Sequence, residues 1–247
     1  MTPSLRQTLA HLVAPALLCL TLLPHAAQAN TPGSVRSVSE LRTVDSFQAI
    51  ALSGSMDLTV RQGAEQSVQV EADDKLLPLL ETVVESTSRG ATLLVRWKKG
   101  HSLSSRSRVR VTVVVPKLTA LVAAGSGDIR LEPFNTPVLK LALSGSGDAR
   151  LTGLTTDELG ISISGSGDVA GSGSAVKIKV SIAGSGDVRL SDMKADDVTV
   201  SIAGSGDAAV NADKSLSVTI AGSGDVSYTG NAAVKSRVAG SGSVVKR

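Results

Sequence analysis

Along most of the chain, apolar and polar residues alternate one for one. Leu139, Leu141 and Leu143 are separated by Lys140 and Ala142; Leu159, Ile161 and Ile163 follow, then Ile178, Val180 and Ile182. Val198, Val200 and Ile202, and then Leu216, Val218 and Ile220, continue the series. A period of two over six residues predicts a strand with one buried face. Each of these runs leads into the tetrapeptide Gly-Ser-Gly-Asp, after which alternation resumes. Ile129 and Leu131 flank Arg130, Ala149 and Leu151 flank Arg150, and Val188 and Leu190 flank Arg189.

The tetrapeptide begins at Gly125, Gly145, Gly165, Gly184, Gly204 and Gly222, with a worn last copy at Gly240-Ser241-Gly242-Ser243. Successive copies stand 20, 20, 19, 20, 18 and 18 residues apart. Gly54-Ser55-Met56-Asp57 reads as an earlier, degenerate copy. Each unit is therefore a strand, a tight corner, a second strand and a variable return loop. Roughly five inward side chains per unit cannot form a core alone, but stacked units bury a continuous column, at about 1.5–3 kcal/mol per apolar side chain. Equivalent strands of successive coils must run the same way. The expected fold is all-β: a right-handed parallel β-solenoid with two strands per ~19-residue coil, the hand following the crossover rule. At ~4.8 Å per rung, seven rungs make a rod about 35 Å long. A Greek-key sandwich would not need near-identical corners at fixed intervals, and no six-residue period suggests a hexapeptide helix.

Two further segments complete the organisation. Residues 1–29 read as an export signal: Arg6, a mainly apolar stretch from Leu9 through Leu23, and the small-x-small site Ala27-Gln28-Ala29. Pro15 and Pro24 interrupt a run already short for a membrane span. Cys19 lies inside that run with Leu18 before it, where a lipidation site needs a small residue. The chain from Asn30 then has no cysteine and no expected transmembrane segment. Residues 30–44 are expected to be a flexible lead-in. Residues 45–116 depart from the repeat and are expected to cap the rod, because an open solenoid end exposes core and strand edges. In this cap, Asp73 or Asp74 could start a short helix through Leu80, and Thr92 to Lys98 with Arg108 to Val115 read as a hairpin around 100–105. Residues 117–247 form the repeat.

Composition narrows the function. Aromatic residues make up 2% of the chain, Phe47, Trp97, Phe134 and Tyr228 being the whole set. Rows of stacking platforms for single strands or sugars are therefore not expected. The formal net charge of +3 does not suggest a nucleic-acid binder. The corner residues, Gly125 and Asp128, Gly145 and Asp148, Gly165 and Asp168, Gly184 and Asp187, Gly204 and Asp207, Gly222 and Asp225, read as structural turns. Glycine tolerates positive φ there, and aspartate bonds nearby amides. Stacking would align these carboxylates near 4.8 Å, where neighbours repel by roughly 0.9 kcal/mol in water. Backbone amides, Arg130, Arg150 and Arg189, or a row of calcium ions could offset this, and the pattern leaves the calcium question open.

No catalytic, cofactor-binding or metal residue is expected. Gly-Ser-Gly-Asp lacks the Lys-Ser/Thr of a phosphate loop. His101, the one histidine beyond the leader, sits in a Gly/Ser tip unsuited to a rigid triad. Asp196 and Asp197 are strand neighbours whose side chains diverge, as are Asp157 and Glu158, which disfavours a polysaccharide-cleaving carboxylate pair. One anionic-surface patch stands out: Arg96, Lys98, Lys99, Arg106, Arg108 and Arg110. Its ligand would be an anionic envelope polymer or lipid headgroup; its alternative role is to keep an edge from aggregating.

The repeated Gly-Ser-Gly-Asp-Val corners, the expected Asp73 to Val83 helix and the closing Val226-Ser227-Tyr228-Thr229-Gly230 followed by Gly240-Ser241-Gly242 resemble the head GIN domain family of bacterial envelope proteins. The resemblance runs from about Val44 to the C-terminus. It implies a pectin-lyase-like solenoid without recognised catalytic residues and a role in adhesion, the family being labelled an autotransporter adhesin of unknown function. An autotransporter carries a C-terminal membrane barrel, whereas here the repeat continues to Arg247, so self-secretion by that route is not expected. The resulting expectation is an exported, non-enzymatic binding or adhesion module of the cell envelope, in the periplasm or at the surface. Its partner would be an envelope or surface ligand, and self-association is open. A periplasmic scaffold and a polysaccharide lyase or hydrolase are the alternatives.

Overall fold

The structure, a computed structural model, describes residues 37–100 and 108–247. In chain order its strands are β1 (Ser37–Leu41), β2 (Ala49–Ser53), β3 (Met56–Gln62), β4 (Ser67–Asp73), β5 (Leu80–Thr87), β6 (Gly90–Trp97) and β7 (Val109–Val115). There follow β8 (Ala120–Gly125), β9 (Ile129–Leu131), β10 (Phe134–Asn135), β11 (Val138–Gly145), β12 (Ala149–Gly165) and β13 (Val169–Gly184). The last are β14 (Val188–Gly204), β15 (Ala208–Gly222), β16 (Val226–Thr229), β17 (Ala233–Gly240) and β18 (Val244–Lys246).

The repeat forms a parallel β-solenoid. Before the corner, β2, β8, β11, the later parts of β12 to β15, and β17 stack in parallel register. Beyond it, β3, β9, the earlier parts of β12 to β15, β16 and β18 do the same. The first glycine of each tetrapeptide pairs with its counterpart one rung away, as Gly145 does with Gly125 and Gly165. The alternation drives this arrangement. Leu139, Leu159, Ile178, Val198 and Leu216 are all buried and lie above one another, as do Leu141, Ile161, Val180, Val200 and Val218. Branched aliphatic side chains fill the column because their stiff rotamers suit a pleated surface.

The cap departs from the sequence reading in three ways. First, β6 and β7 do not form a hairpin. β6 pairs with β2 in parallel and with β5 in antiparallel register; β7 pairs with β3 in parallel and β4 in antiparallel register. Each alternates like any rung, so each lies beside the β2/β3 rung rather than against the other. The chain thus lays down β2 and β3, passes outward to make β6 and β7, and returns as β8 on the other side. Second, the expected helix shrinks to a 3-10 turn, Leu77–Leu79, with Pro78 in its first turn. Thr82, Val83 and Val84 are β-branched and extend as part of β5 instead. Third, the cap is strand-built: β1, β4 and β5 close the end with antiparallel pairings.

One apolar cluster runs from Phe47 in the cap to Val226 near the last rung. The expected signal segment, residues 30–36 of the lead-in, His101 and Arg106 lie outside the described residues, while the rest of the lead-in, expected to be flexible, contains β1, held by its pairing with β4. No helix among the described residues is long and apolar enough to cross a membrane.

Candidate functional site

The corners build the most distinctive surface. Gly165 has φ +138°, and an added Cβ on it would overlap the backbone oxygen of Gly145; a Cβ on Gly167 would overlap that of Gly147. Both glycines are thus required by the close stacking of successive corners, the first by its backbone conformation as well. Backbone bonds tie the rungs together, Ser166 N donating to Gly145 O at 2.9 Å and Ala149 N to Asp168 O at 2.8 Å.

The aspartates answer the electrostatic problem their alignment poses. Oδ1 of each accepts the amide N–H of its successor on the next rung: Asp128 donates to Asp57, Asp148 to Asp128, Asp168 to Asp148 and Asp187 to Asp168, at 2.9–3.2 Å. Asp207 donates to Asp187 at 3.0 Å and Asp225 to Asp207 at 2.8 Å. Ser243 closes the row by donating both its amide and its hydroxyl to Asp225 at 2.8 Å. Charged acceptors make such bonds stronger than neutral ones. Among the described residues no three His, Cys, Asp or Glu side chains converge as metal ligands.

Two residues beyond each aspartate, the outward side chains form a second column in register: Thr59, Arg130, Arg150, Ala170, Arg189, Ala209 and Ser227. Arg189 reaches back to Asp168 (Nη1–Oδ2, 2.9 Å) and Asp187 (Nη2–Oδ2, 2.8 Å). The bond to Asp168 and then its charge hold this guanidinium above its ordinary pKa. It is the one arginine of the column that forms an ion pair among the described residues. Arg130 and Arg150 lie side by side on adjacent rungs. The two columns line a shallow groove of about 400 Å³ from Asp57 and Arg110 to Asp168 and Arg189. A second hollow of about 320 Å³ continues it from Asp187 and Arg189 to Asp225 and Arg247.

The basic patch read from the sequence is divided. Arg96 bonds Glu81 (2.7 Å) and Glu85 (3.0 Å), the Glu81 bond chiefly raising its pKa. Lys98 and Lys99 are exposed beside it. Arg108 and Arg110 stand on the other side of the corner, Arg110 bonded to Glu71 at 3.0 Å, and both border the aspartate row. Sequence reasoning placed the arginines near the aspartates but took them as scattered compensation. The column was legible in the shared position two residues after each aspartate.

The fold and its corners match a known family. The profile described as "Putative auto-transporter adhesin, head GIN domain" matches residues 46–232. The chain belongs to this family. Among solved structures, a "putative adhesin" from Bacteroides fragilis superposes with a TM-score of 0.79 at 22% identity, covering 87% of this chain and 98% of that one. A "putative lipid binding protein" from Parabacteroides distasonis gives 0.70 at 24% identity, and a "putative adhesin" from Parabacteroides merdae 0.65 at 24%, with the same coverages. At these identities the likeness speaks for the shared solenoid. No curated protein matches the chain.

Proposed function

We propose that this head GIN domain protein is an exported, non-enzymatic binding module of the cell envelope, acting in adhesion to a polymeric surface ligand. The observation that carries this reading is the groove. It offers a carboxylate on successive rungs and, in register, an arginine pair, Arg130 and Arg150, that makes no ion pair among the described residues. A site that repeats with the rung suits a ligand that repeats with the monomer. Hydroxyl-rich, acid-bearing envelope polysaccharide fits: its hydroxyls donate to the outer carboxylate oxygens and its acid groups meet the arginines. Because the corner carboxylate recurs from rung to rung, no single acid is set apart for bond cleavage. Membership of an adhesin-labelled family and the leader-like start support the placement.

Two experiments test the reading. Incubated with isolated envelope polysaccharide, the full chain should co-sediment with it while polymer length stays constant. A shortening polymer would convert the module into an enzyme, and no co-sedimentation would remove the binding claim. Protease shaving of intact cells, with a periplasmic marker as leakage control, should remove the protein. Survival until the outer barrier is opened would replace adhesion with a periplasmic scaffold.

A further inference from the structure

The coil that carries β13 is shorter than the coils on either side of it. Gly165 and Gly184 stand 19 residues apart, whereas the copies before and after stand 20 apart. The missing residue falls just beyond the corner. Thr152 and Gly153 of β12 together oppose the single Ser172, and Leu190 and Ser191 of β14 together oppose Gly171. Such two-against-one places bend the longer strand away from its partner. The residues of β13 are also small there, Ala170-Gly171-Ser172 against Arg150-Leu151-Thr152 on β12. The inner side at Gly171 is taken up by Leu190 and Met193, so the shortfall appears on the outer surface.

The result is a hollow of about 400 Å³ bordered by Arg150, Thr152, Ala170, Ser172, Arg189 and Asp192. Arg150, Ala170 and Arg189 also line the groove. The hollow therefore opens sideways from the groove, at the one place between Arg130 and Arg189 where the arginine column is interrupted.

We infer that this hollow is a side-branch subsite, which takes a single neutral sugar attached to the polymer lying in the groove; the inference rests on the function proposed above. Across β13 the neighbouring strands β12 and β14 stand about 10 Å apart, which admits one substituent between their arginines but not a turn of the main chain. Sugar hydroxyls both donate and accept, and so does the lining. Ser172 Oγ accepts the Gly153 amide at 3.2 Å and keeps its own proton to donate. Asp192 is exposed and forms no ion pair among the described residues, so its carboxylate is available as an acceptor. Arg189 is held by Asp168 and Asp187. Arg150 and Asp192 then bring one charge of each sign, which favours neither an acid nor an amine. Leu151, the one large apolar residue at the hollow, is buried, so an acyl or aryl group finds no surface to rest on. Ala170 is the specificity-determining residue: an arginine there would continue the column and close the side opening.

The test is calorimetric titration of isolated envelope polysaccharide into the full chain, using the native polymer and the same polymer after mild acid has removed its side sugars with backbone length unchanged. The parent should bind the native polymer about tenfold more tightly, the effect of losing hydrogen bonds to charged groups. Ala170→Arg and, separately, Asp192→Asn should bring native-polymer binding down to the trimmed level without weakening binding of the trimmed polymer. Asp192 is exposed, so its variant keeps the test decisive even where the added arginine disturbs the fold, which thermal unfolding reports. Arg130→Gln, outside the hollow, should weaken both polymers alike. Equal binding of the two polymers by the parent, or native-polymer binding at parental strength in Asp192→Asn or in a folded Ala170→Arg, would overturn the subsite and leave the groove reading standing. Loss of the trimmed polymer in Asp192→Asn would also overturn it, by putting the main chain across the hollow. A parent that binds neither polymer would overturn both readings.

Discussion

A glycine and an aspartate do most to decide how this protein stacks. Gly167 is buried under the preceding corner, and a methyl group there meets the Gly147 oxygen. Gly167→Ala should therefore destabilise the fold by roughly 3 kcal/mol, measured by urea unfolding, while Ser166→Ala on the exposed neighbouring position should stay within about 0.5 kcal/mol. Equal effects would show that the corner is not closely stacked. In the cap, Asp73 accepts the Lys75 amide at 3.0 Å, and that bond, with help from Asp74, holds its carboxyl below the ordinary value of 3.8. A depressed carboxylate contributes its stability above the ordinary value and loses it as pH falls through the lowered one. An NMR titration should place the Asp73 midpoint below 3.8, and Asp73→Asn should abolish that part of the acid response. The glycine roles were legible in the repeat. The carboxylate-to-amide ladder was legible only as one of several ways to offset repulsion, because a sequence does not say which amide faces which oxygen.

The elements were legible wherever a corner motif marked the rung. Gly54-Ser55-Met56-Asp57 identified β2 and β3 as a rung, and Ser55 does bond Ser126 of the next corner at 2.8 Å. The pairing of β6 with β2 and of β7 with β3 was missed because no Gly-Ser-Gly-Asp motif stands between β6 and β7 in the sequence, and two alternating strands close along the chain look like a hairpin. The helix was missed because Asp73 and Pro78 imitate a helix start, while the β-branched residues that decide the matter come later. Rung position has a consequence for local stability. Among the described residues, β12, β13 and β14 are flanked on both sides, whereas β17 and β18 have a neighbour on one. Amide hydrogen exchange should be slowest in β12 to β14 and fastest in β17 and β18, as expected of stacked repeats. Uniform protection along the rod would contradict independent rung-by-rung opening. Trp97, the single tryptophan, rests against Gly54 and reports separately on the cap.

At the scale of the solenoid, the sequence disclosed the stacked rungs and their charged corners, but not that the aspartates and arginines form parallel columns in one groove. That requires the register, in which Arg130 and Arg150 coincide while Ala170 leaves a gap before Arg189. It also requires the cap topology that carries Arg110 to the head of the row. The basic patch looked continuous in sequence and is split around a corner, with Glu71, Glu81 and Glu85 answering part of it. The central claim is that the groove binds an extended acidic polymer through its arginine pair. Its most direct test is titration of isolated envelope polysaccharide into the full chain and into Arg130→Gln/Arg150→Gln, at low and high salt. The account predicts salt-sensitive binding by the parent and about tenfold or greater weakening in the variant, with unchanged thermal unfolding. Equal binding by the two proteins would contradict it.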